Sequence, residues 1–238
     1  MYAADQDMFD LYNLEVEGDI FDFVSGDFDG DQLTDIVIVY SPIDDIGSRY
    51  AGLYLQKGND GFRPRADYLV PLPGSAVQMD ASDIDGDGID EVLIIDGGGV
   101  SYLEYSGGSG LSRPIRLIEE NTVYAIPSFL GIVVEPFVLD LISSNNGPEI
   151  LLPIRRGFAI YEKSEAGNYR VLNQLNVSIF SSNYRQGIRS FSKKRSSRVT
   201  IELPEIYNRD GNGDGRSDLY FLWDHKICTF FQDNTGNY

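Results

Sequence analysis

Short runs of apolar residues, separated by turns rich in Gly, Asp and Asn, recur along the chain. Four of these runs are almost continuous, at residues 36–39, 92–95, 150–152 and 219–222. A brief apolar run bounded by turn residues is typical of a buried β-strand, and alternating segments are typical of half-exposed strands. No segment has a convincing helical periodicity. The pattern therefore predicts an all-β protein.

Each of the four runs follows an acidic loop, and the loops recur at a nearly regular interval. Their first residues are Asp27, Asp83, Asp140 and Asp210, with spacings of 56, 57 and 70 residues. A repeat of this period indicates an array of structural units, and its length suits four short strands per unit. The predicted repeats and the insertion loop after the third repeat are residues 17–71, 72–121, 122–177, 197–232 and 178–196. The first strands of the third and fourth repeats are predicted at residues 132–141 and 198–207.

Residues 9–16 alternate apolar and polar side chains and are predicted to form one further strand. The last repeat, in contrast, has segments for only three strands. A ring of four-stranded sheets can close when its first strand completes the last sheet, because closure removes exposed sheet edges. We therefore expect residues 9–16 to complete the last sheet of a single domain that covers residues 1–238.

Three of the loops share one spacing of oxygen-bearing side chains. Acidic or amide residues occupy their first, third, fifth and ninth positions, and glycine occupies the fourth. Carboxylates that converge in this way repel one another strongly unless a cation lies between them. Oxygen ligands without nearby His or Cys favour Ca²⁺, which accepts six to eight oxygens in a flexible cage. The sequence therefore predicts about three Ca²⁺ ions, one in each loop.

The expected ligands are side-chain oxygens at the first, third, fifth and ninth positions and a main-chain carbonyl at the seventh. In the first loop these residues are Asp27, Asp29, Asp31, Leu33 and Asp35. In the second loop they are Asp83, Asp85, Asp87, Ile89 and Glu91. In the third loop they are Asp210, Asn212, Asp214, Arg216 and Asp218.

Two other interpretations of these loops are less favourable. An EF-hand loop needs an acid at the twelfth position, where this chain has Ile38, Ile94 and Phe221. A solvated Asp-Gly turn is common, but three copies that each precede an apolar run argue against it. A fourth loop, at residues 140–149, lacks the third and fifth acids, and we expect it to keep the turn without an ion.

The net charge narrows the range of partners. The chain carries 37 acidic and 19 basic residues, which give a formal charge of −18. This balance argues against nucleic acid or an anionic membrane as the main partner. No apolar run approaches the roughly 20 residues of a membrane-spanning helix, and the single cysteine, Cys228, excludes an intrachain disulfide.

The Asp-x-Asp-Gly-Asp-Gly-x-x-Asp loop between two apolar strands resembles the FG-GAP repeats of the integrin α-subunit propeller and the related VCBS-type repeats of bacterial secreted proteins. The resemblance extends over about residues 9–232, and the bacterial type is the closer because the Phe-Gly and Gly-Ala-Pro landmarks are not evident. It implies a β-propeller of four-stranded antiparallel blades, about four of them in this chain. They would form either a closed small ring or part of a larger one, with Ca²⁺ between the first two strands of each blade.

The resemblance also implies a function. A calcium-binding module for adhesion or protein interaction is expected, with Ca²⁺ making the blade loops rigid, in an extracellular, cell-surface or periplasmic setting. The alternative is a carbohydrate-binding or polysaccharide-degrading propeller. Catalysis is not expected, because the one histidine, His225, offers no triad and the obvious carboxylates are assigned to ions. Self-association, in which partial rings complete each other, stays open.

One segment reverses the acidic character of the chain. Residues 176–197 are rich in serine and basic residues, which suggests a binding loop for an acidic protein or a glycan. We expect it to lie with residues 41–48 on the face opposite the calcium loops; the alternative is a solvated insertion. The candidate contact residues are Arg185, Arg189, Lys193, Lys194 and Arg195.

Overall fold

The computed structural model describes residues 11–45, 47–124, 132–142, 147–177, 180–181, 200–201, 203–223 and 225–238. The described residues fall into two compact units, the first within the ranges 1–120 and 126–135 and the second within the ranges 121–125 and 136–238. The predicted all-β fold is confirmed, because the described elements are β-strands apart from two single-turn 3₁₀ helices at Gly58–Asp60 and Gly107–Ser109. In this part of the chain no helix is long and apolar enough to cross a membrane.

The first unit contains two antiparallel sheets, each with four consecutive strands in chain order. Blade 1 consists of β1 (Gly18–Gly26), β2 (Asp35–Pro42), β3 (Arg49–Tyr54) and β4 (Tyr68–Leu72). Blade 2 consists of β5 (Gln78–Ser82), β6 (Glu91–Asp96), β7 (Gly99–Leu103) and β8 (Ile115–Glu119). A short strand, β9 (Val133–Val134), pairs in parallel with β5.

The second unit repeats this plan with one shorter sheet. Blade 3 consists of β10 (Val138–Leu139), β11 (Glu149–Ile154), β12 (Gly157–Lys163) and β13 (Tyr169–Asn176). The pair that follows is β14 (Phe180–Ser181) with β15 (Thr200–Ile201). Blade 4 is a three-stranded sheet of β16 (Glu205–Arg209), β17 (Asp218–Trp223) and β18 (Lys226–Phe230). The four-stranded antiparallel order predicted for propeller blades is thus present in blades 1 to 3.

The continuous apolar runs form the second strand of each blade. Five of the six residues of β6 and of β11 are buried. Most residues of the edge strands β1, β8 and β13 are half-buried or exposed. Burying a large aliphatic side chain stabilises the fold by about 1.5–3 kcal/mol, so these central strands carry most of the packing energy.

The turn after the third strand is the same in all four blades. In each turn a main-chain N–H donates to the carbonyl four residues later, at 2.7 to 2.9 Å. The four donor and acceptor pairs are Lys57 and Gly61, Ser106 and Gly110, Ser164 and Asn168, and Asp233 and Asn237. Blade 4 is therefore built on the same unit as the others, although its described sheet has three strands.

Two predicted strands differ from the observed ones. The strand expected at residues 132–141 is split, because Val133–Val134 pair with β5 in the first unit and Val138–Leu139 pair with β11 in the second. Pro136 lies between the halves and has no N–H to donate to a ladder. The strand expected at 198–207 is also divided, because Thr200–Ile201 pair with β14 and the strand of blade 4 begins at Glu205, one residue after Pro204.

Residues 11–16, which were expected to be strand, lie outside the strands of the structure. Glu15 donates its main-chain N–H to the carbonyl of Pro64 at 2.5 Å and accepts the hydroxyl of Tyr54 at 2.8 Å. Both contacts are within the first unit, so these residues do not show the closing strand predicted for the last sheet. Ring closure and a single domain over the whole chain stay predictions.

Candidate metal centres

Loop 1 (residues 27–35) joins β1 to β2 and is folded around its first acid. Asp27 Oδ1 accepts the N–H of Gly30 at 2.8 Å, and Asp27 Oδ2 accepts the N–H of Gln32 at 2.8 Å. Both donors have left-handed backbones, with φ of 78° at Gly30 and 66° at Gln32. This conformation suits glycine and is strained for a residue with a Cβ. The fourth-position glycine of the sequence motif is thereby explained.

The next two acids of loop 1 each bind the chain two residues further on. Asp29 Oδ1 accepts the N–H of Asp31 at 3.3 Å, and Asp31 Oδ1 accepts the N–H of Leu33 at 2.9 Å. Such side-chain to backbone bonds are the usual local bonds of short acids in turns. They keep the loop coiled on the side of its carboxylates.

The ninth acid is different because it is fully buried. Asp35, the first residue of β2, has no exposed surface. Its Oδ2 accepts the N–H of Phe28 at 3.1 Å, and its Oδ1 accepts the N–H of Gln56 at 2.8 Å. Burial raises the pKa of Asp35 to about 6, against the lowering effect of these two N–H donors.

Three carboxylates of loop 1 converge on one place. Oxygens of Asp27, Asp29 and Asp35 all lie within 4.8 Å of one another. Burial and the neighbouring charge of Asp31 raise the pKa of Asp29 as well. Like charges this close are costly without a compensating cation. The predicted first, third and ninth ligands are therefore brought together, whereas Asp31 is not part of the converging set.

Loop 2 (residues 83–91) repeats the geometry of loop 1 in blade 2. Asp83 accepts the N–H groups of Gly86 at 2.6 Å and Gly88 at 2.9 Å. Glu91 is 5% exposed and accepts the N–H of Ile84 at 3.0 Å. Burial raises the pKa of Glu91 to about 7.

The acids of loop 2 converge as those of loop 1 do. Oxygens of Asp83, Asp85 and Glu91 lie within 4.8 Å of one another. Asp87 again lies outside the converging set and accepts the N–H of Ile89 at 2.8 Å. The longer side chain of Glu91 therefore joins the converging acids of loop 2, as Asp35 does in loop 1.

Loop 3 (residues 210–218) has the same backbone bonds but a different charge. Asp210 accepts the N–H groups of Gly213 at 2.7 Å and Gly215 at 2.9 Å. The guanidinium of Arg216 contacts Asp214 Oδ2 at 2.6 Å, and the amide of Asn212 donates to the same oxygen at 2.9 Å. The acids that converge among the described residues are those of loops 1 and 2. A side-chain cation therefore already balances the fifth-position acid of loop 3.

The loop of blade 3 lacks the third and fifth acids but keeps a buried acid at its end. Glu149 has no exposed surface, and its Oε2 accepts the N–H groups of Leu141 at 2.8 Å and Ile142 at 3.1 Å. This is the role that Asp35 and Glu91 have in blades 1 and 2. The acid at the end of the loop is thus structural. Its survival in the degraded loop, as the tenth residue counted from Asp140, was the sequence signal for this role.

The comparisons with known proteins agree with this geometry. The family model of the FG-GAP-like repeat matches residues 27–94, which contain both loops with converging acids. Residues 27–94 are therefore similar to an FG-GAP-like repeat. No curated protein is significantly similar to the chain.

The FG-GAP-like match confirms the resemblance on the loops that carry it most strongly. It ends within β6, so loop 3 and the loop of blade 3 lie outside the matched residues. Ion binding through the carbonyls of Leu33, Ile89 and Arg216 stays a prediction. The candidate partner residues lie outside the described part of the chain, and their role also stays a prediction; they are Arg185, Arg189, Lys193, Lys194 and Arg195.

Proposed function

We propose that this chain is a calcium-binding β-propeller module for adhesion or protein interaction, in which Ca²⁺ makes the blade loops rigid. The observation that carries the proposal is the convergence of three carboxylates in loop 1 and again in loop 2, within one FG-GAP-like repeat. Loop 3 is a weaker site in this proposal, because Arg216 already contacts Asp214.

The donor set fits calcium. Each converging group offers hard carboxylate oxygens, and neither loop contains a His or Cys. N–H bonds to the first acids hold each loop in a coiled form, and an ion would fix the remaining freedom of the carboxylates and the adjoining main chain. An ion that binds only the folded chain adds about 2.7 kcal/mol of stability at one hundred times its dissociation constant.

A protein or glycan partner would bind at the end of the blades opposite the calcium loops. In blade 1 the connection between β2 and β3 spans residues 43–48, whereas the corresponding turns of blades 2 and 3 span 97–98 and 155–156. The longer connection carries Ile43, which is 71% exposed. Long connections at the end of a rigid sheet are common places for recognition.

The proposed setting is extracellular, cell-surface or periplasmic, because modest calcium sites fill where calcium is plentiful. Binding without catalysis is proposed, since the converging acids are assigned to ions. The acidic net charge of −18 favours partners other than nucleic acid.

Thermal unfolding with and without Ca²⁺ tests the proposal. We expect 1 mM Ca²⁺ to raise the melting temperature over that in EDTA by roughly 5 °C or more. Asp85→Asn should lose much of this increase. Asp44→Asn removes one negative charge from an exposed residue in the connection between β2 and β3, away from the calcium loops. This control variant should keep the full increase in melting temperature. Equal melting temperatures with Ca²⁺ and EDTA would count against calcium binding.

A further inference from the structure

Asp90, at the eighth position of loop 2, joins that loop to loop 1. Its Oδ2 accepts the main-chain N–H of Asp27 at 2.9 Å. Its own N–H donates to the main-chain carbonyl of Asp27 at 2.8 Å. Both main-chain polar groups of the first acid of loop 1 are therefore held by a residue of loop 2.

The chain is shaped for this approach. A Cβ placed on Gly26 would lie 2.6 Å from Asp90 Oδ2, which is closer than any side chain could come. A Cβ on Gly30 would lie 3.1 Å from Cγ1 of Ile89. The two loops therefore lie close together on both sides of Asp27, at Gly26 and at Gly30. Glycine at position 26 leaves room for the carboxylate of Asp90.

We propose that Asp90 is a positioning residue that couples the two calcium sites, so that an ion in either loop raises the affinity of the other. The inference rests on the proposed function, since it concerns those same two sites. Asp90 is flanked by Ile89 and Glu91, which are the seventh and ninth positions of loop 2. Its partner Asp27 is the first position of loop 1.

The coupling follows from the loop segments that each ion orders when it binds. An ion in loop 2 would fix Glu91 and the adjoining main chain, and would thereby fix the N–H group and the carboxylate of Asp90 that hold Asp27. Asp27 in turn holds the N–H groups of Gly30 and Gln32 through its carboxylate. The second ion therefore binds a loop that is already ordered, which is positive cooperativity without a change of fold.

A Ca²⁺ titration followed by amide NMR reads each loop separately. The amide of Gly30 reports on loop 1, and that of Gly86 reports on loop 2, because each donates to the first acid of its loop. Disabling loop 2 with Asp85→Asn should weaken Ca²⁺ binding at Gly30 by about fivefold or more. In the Asp90→Ala background the same Asp85→Asn change should leave binding at Gly30 unaltered.

Three further variants separate coupling from general damage. Asp90→Asn keeps an oxygen acceptor and should retain the coupling, although the lost charge lowers both affinities. Gly26→Ala should abolish the coupling while leaving every acid in place. Thr34→Ala changes the exposed eighth position of loop 1 and should have no effect.

The outcomes distinguish this inference from the proposed function. If Gly30 and Gly86 both respond to Ca²⁺ but loop 1 binds equally well with loop 2 disabled, the coupling is refuted and calcium binding stands. If neither amide responds at millimolar Ca²⁺, both are refuted.

Discussion

Asp35 accepts the main-chain N–H of Gln56 at 2.8 Å, and this bond ties loop 1 to the residue just beyond the third strand of its blade. Blade 4 has the same bond, from Gln232 to Asp218 at 3.0 Å. In both blades the second carboxylate oxygen accepts an N–H from the start of the loop, on Phe28 or Gly211. The ninth acid therefore joins three segments of the blade, whether or not an ion is bound.

Stability measured in EDTA should separate the structural acid from the ion ligands. Asp35→Asn places an NH₂ group against a main-chain donor, which leaves a buried N–H unsatisfied, so we expect a loss of about 1–3 kcal/mol in unfolding free energy. Asp29→Asn keeps the bond that Asp29 accepts from Asp31 and removes one of the crowded charges, so it should not destabilise the chain in EDTA. With Ca²⁺ present, Asp29→Asn should lose the calcium-dependent increment. Urea unfolding in both buffers measures these differences, and equal losses for the two variants in EDTA would contradict them.

Glu149 offers the same test in a blade whose loop lacks the third and fifth acids. Glu149→Ala leaves the N–H groups of Leu141 and Ile142 without this acceptor, and we expect a loss of about 2 kcal/mol. The loss should be the same in Ca²⁺ and in EDTA. Glu165→Ala, at an exposed turn, is the matched control and should be neutral. A calcium-dependent effect of Glu149→Ala would mean that this loop binds an ion after all.

The repeats and the central strands were predictable because their signals are local. A run such as residues 92–95 is apolar at every position, and strand β6 is observed at Glu91–Asp96. The spacing of acids likewise predicted the three residues that converge in each of loops 1 and 2, since the motif fixes the backbone through bonds within nine residues. It also included Asp31 and Asp87, which lie outside the converging sets.

Features that depend on contacts distant in sequence were missed. Asp90 reaches a residue 63 positions away, and nothing in loop 2 alone distinguishes its carboxylate from its neighbours. The split of residues 132–141 depends on β5, which offers Val133–Val134 a parallel partner. The motif predicts only that the carbonyl of Arg216 binds the ion. It does not predict the contact of the guanidinium with Asp214, because an arginine at an exposed loop position has many possible partners.

Removing the guanidinium from loop 3 should improve its calcium affinity. Arg216→Leu gives loop 3 the seventh-position side chain of loop 1 and frees Asp214 from its ion pair. The pair is partly exposed, so we expect a gain of about 1 kcal/mol, or roughly fivefold in affinity. The amide shift of Gly215 during a Ca²⁺ titration reports on this loop, with Gly88 as the internal control. An unchanged or lower affinity at Gly215 would show that Arg216 does not compete with the ion.

The effect of a substitution at the sixth loop position on stability should depend on the left-handed backbone found there. Gly88 has φ of 88° and open space where a Cβ would lie, so Gly88→Ala tests the conformation alone and should cost about 1 kcal/mol. Gln32 occupies the same position in loop 1 with φ of 66°, and Gln32→Gly should stabilise the chain by about 0.5 kcal/mol. Gly108→Ala, also in open space, is the control and should not destabilise. Urea unfolding should give a lower unfolding free energy for Gly88→Ala and a higher one for Gln32→Gly than for the unchanged chain.

Asp96, at the end of β6, gives a prediction for pH that does not involve the ion sites. Burial favours a higher pKa for Asp96, but two hydrogen bonds from Arg116, at 3.0 and 3.1 Å, and the N–H of Gly98 outweigh it and lower the pKa. A carboxylate with a lowered pKa in the folded state adds stability above its unfolded pKa of about 3.9. That contribution disappears as the pH falls through the folded value. Wild type should therefore exceed Asp96→Asn in unfolding free energy by about 1 kcal/mol at pH 7, and the difference should shrink below about pH 4. A difference that stayed constant down to pH 3 in urea unfolding, or grew there, would show that the charge of Asp96 does not stabilise the turn.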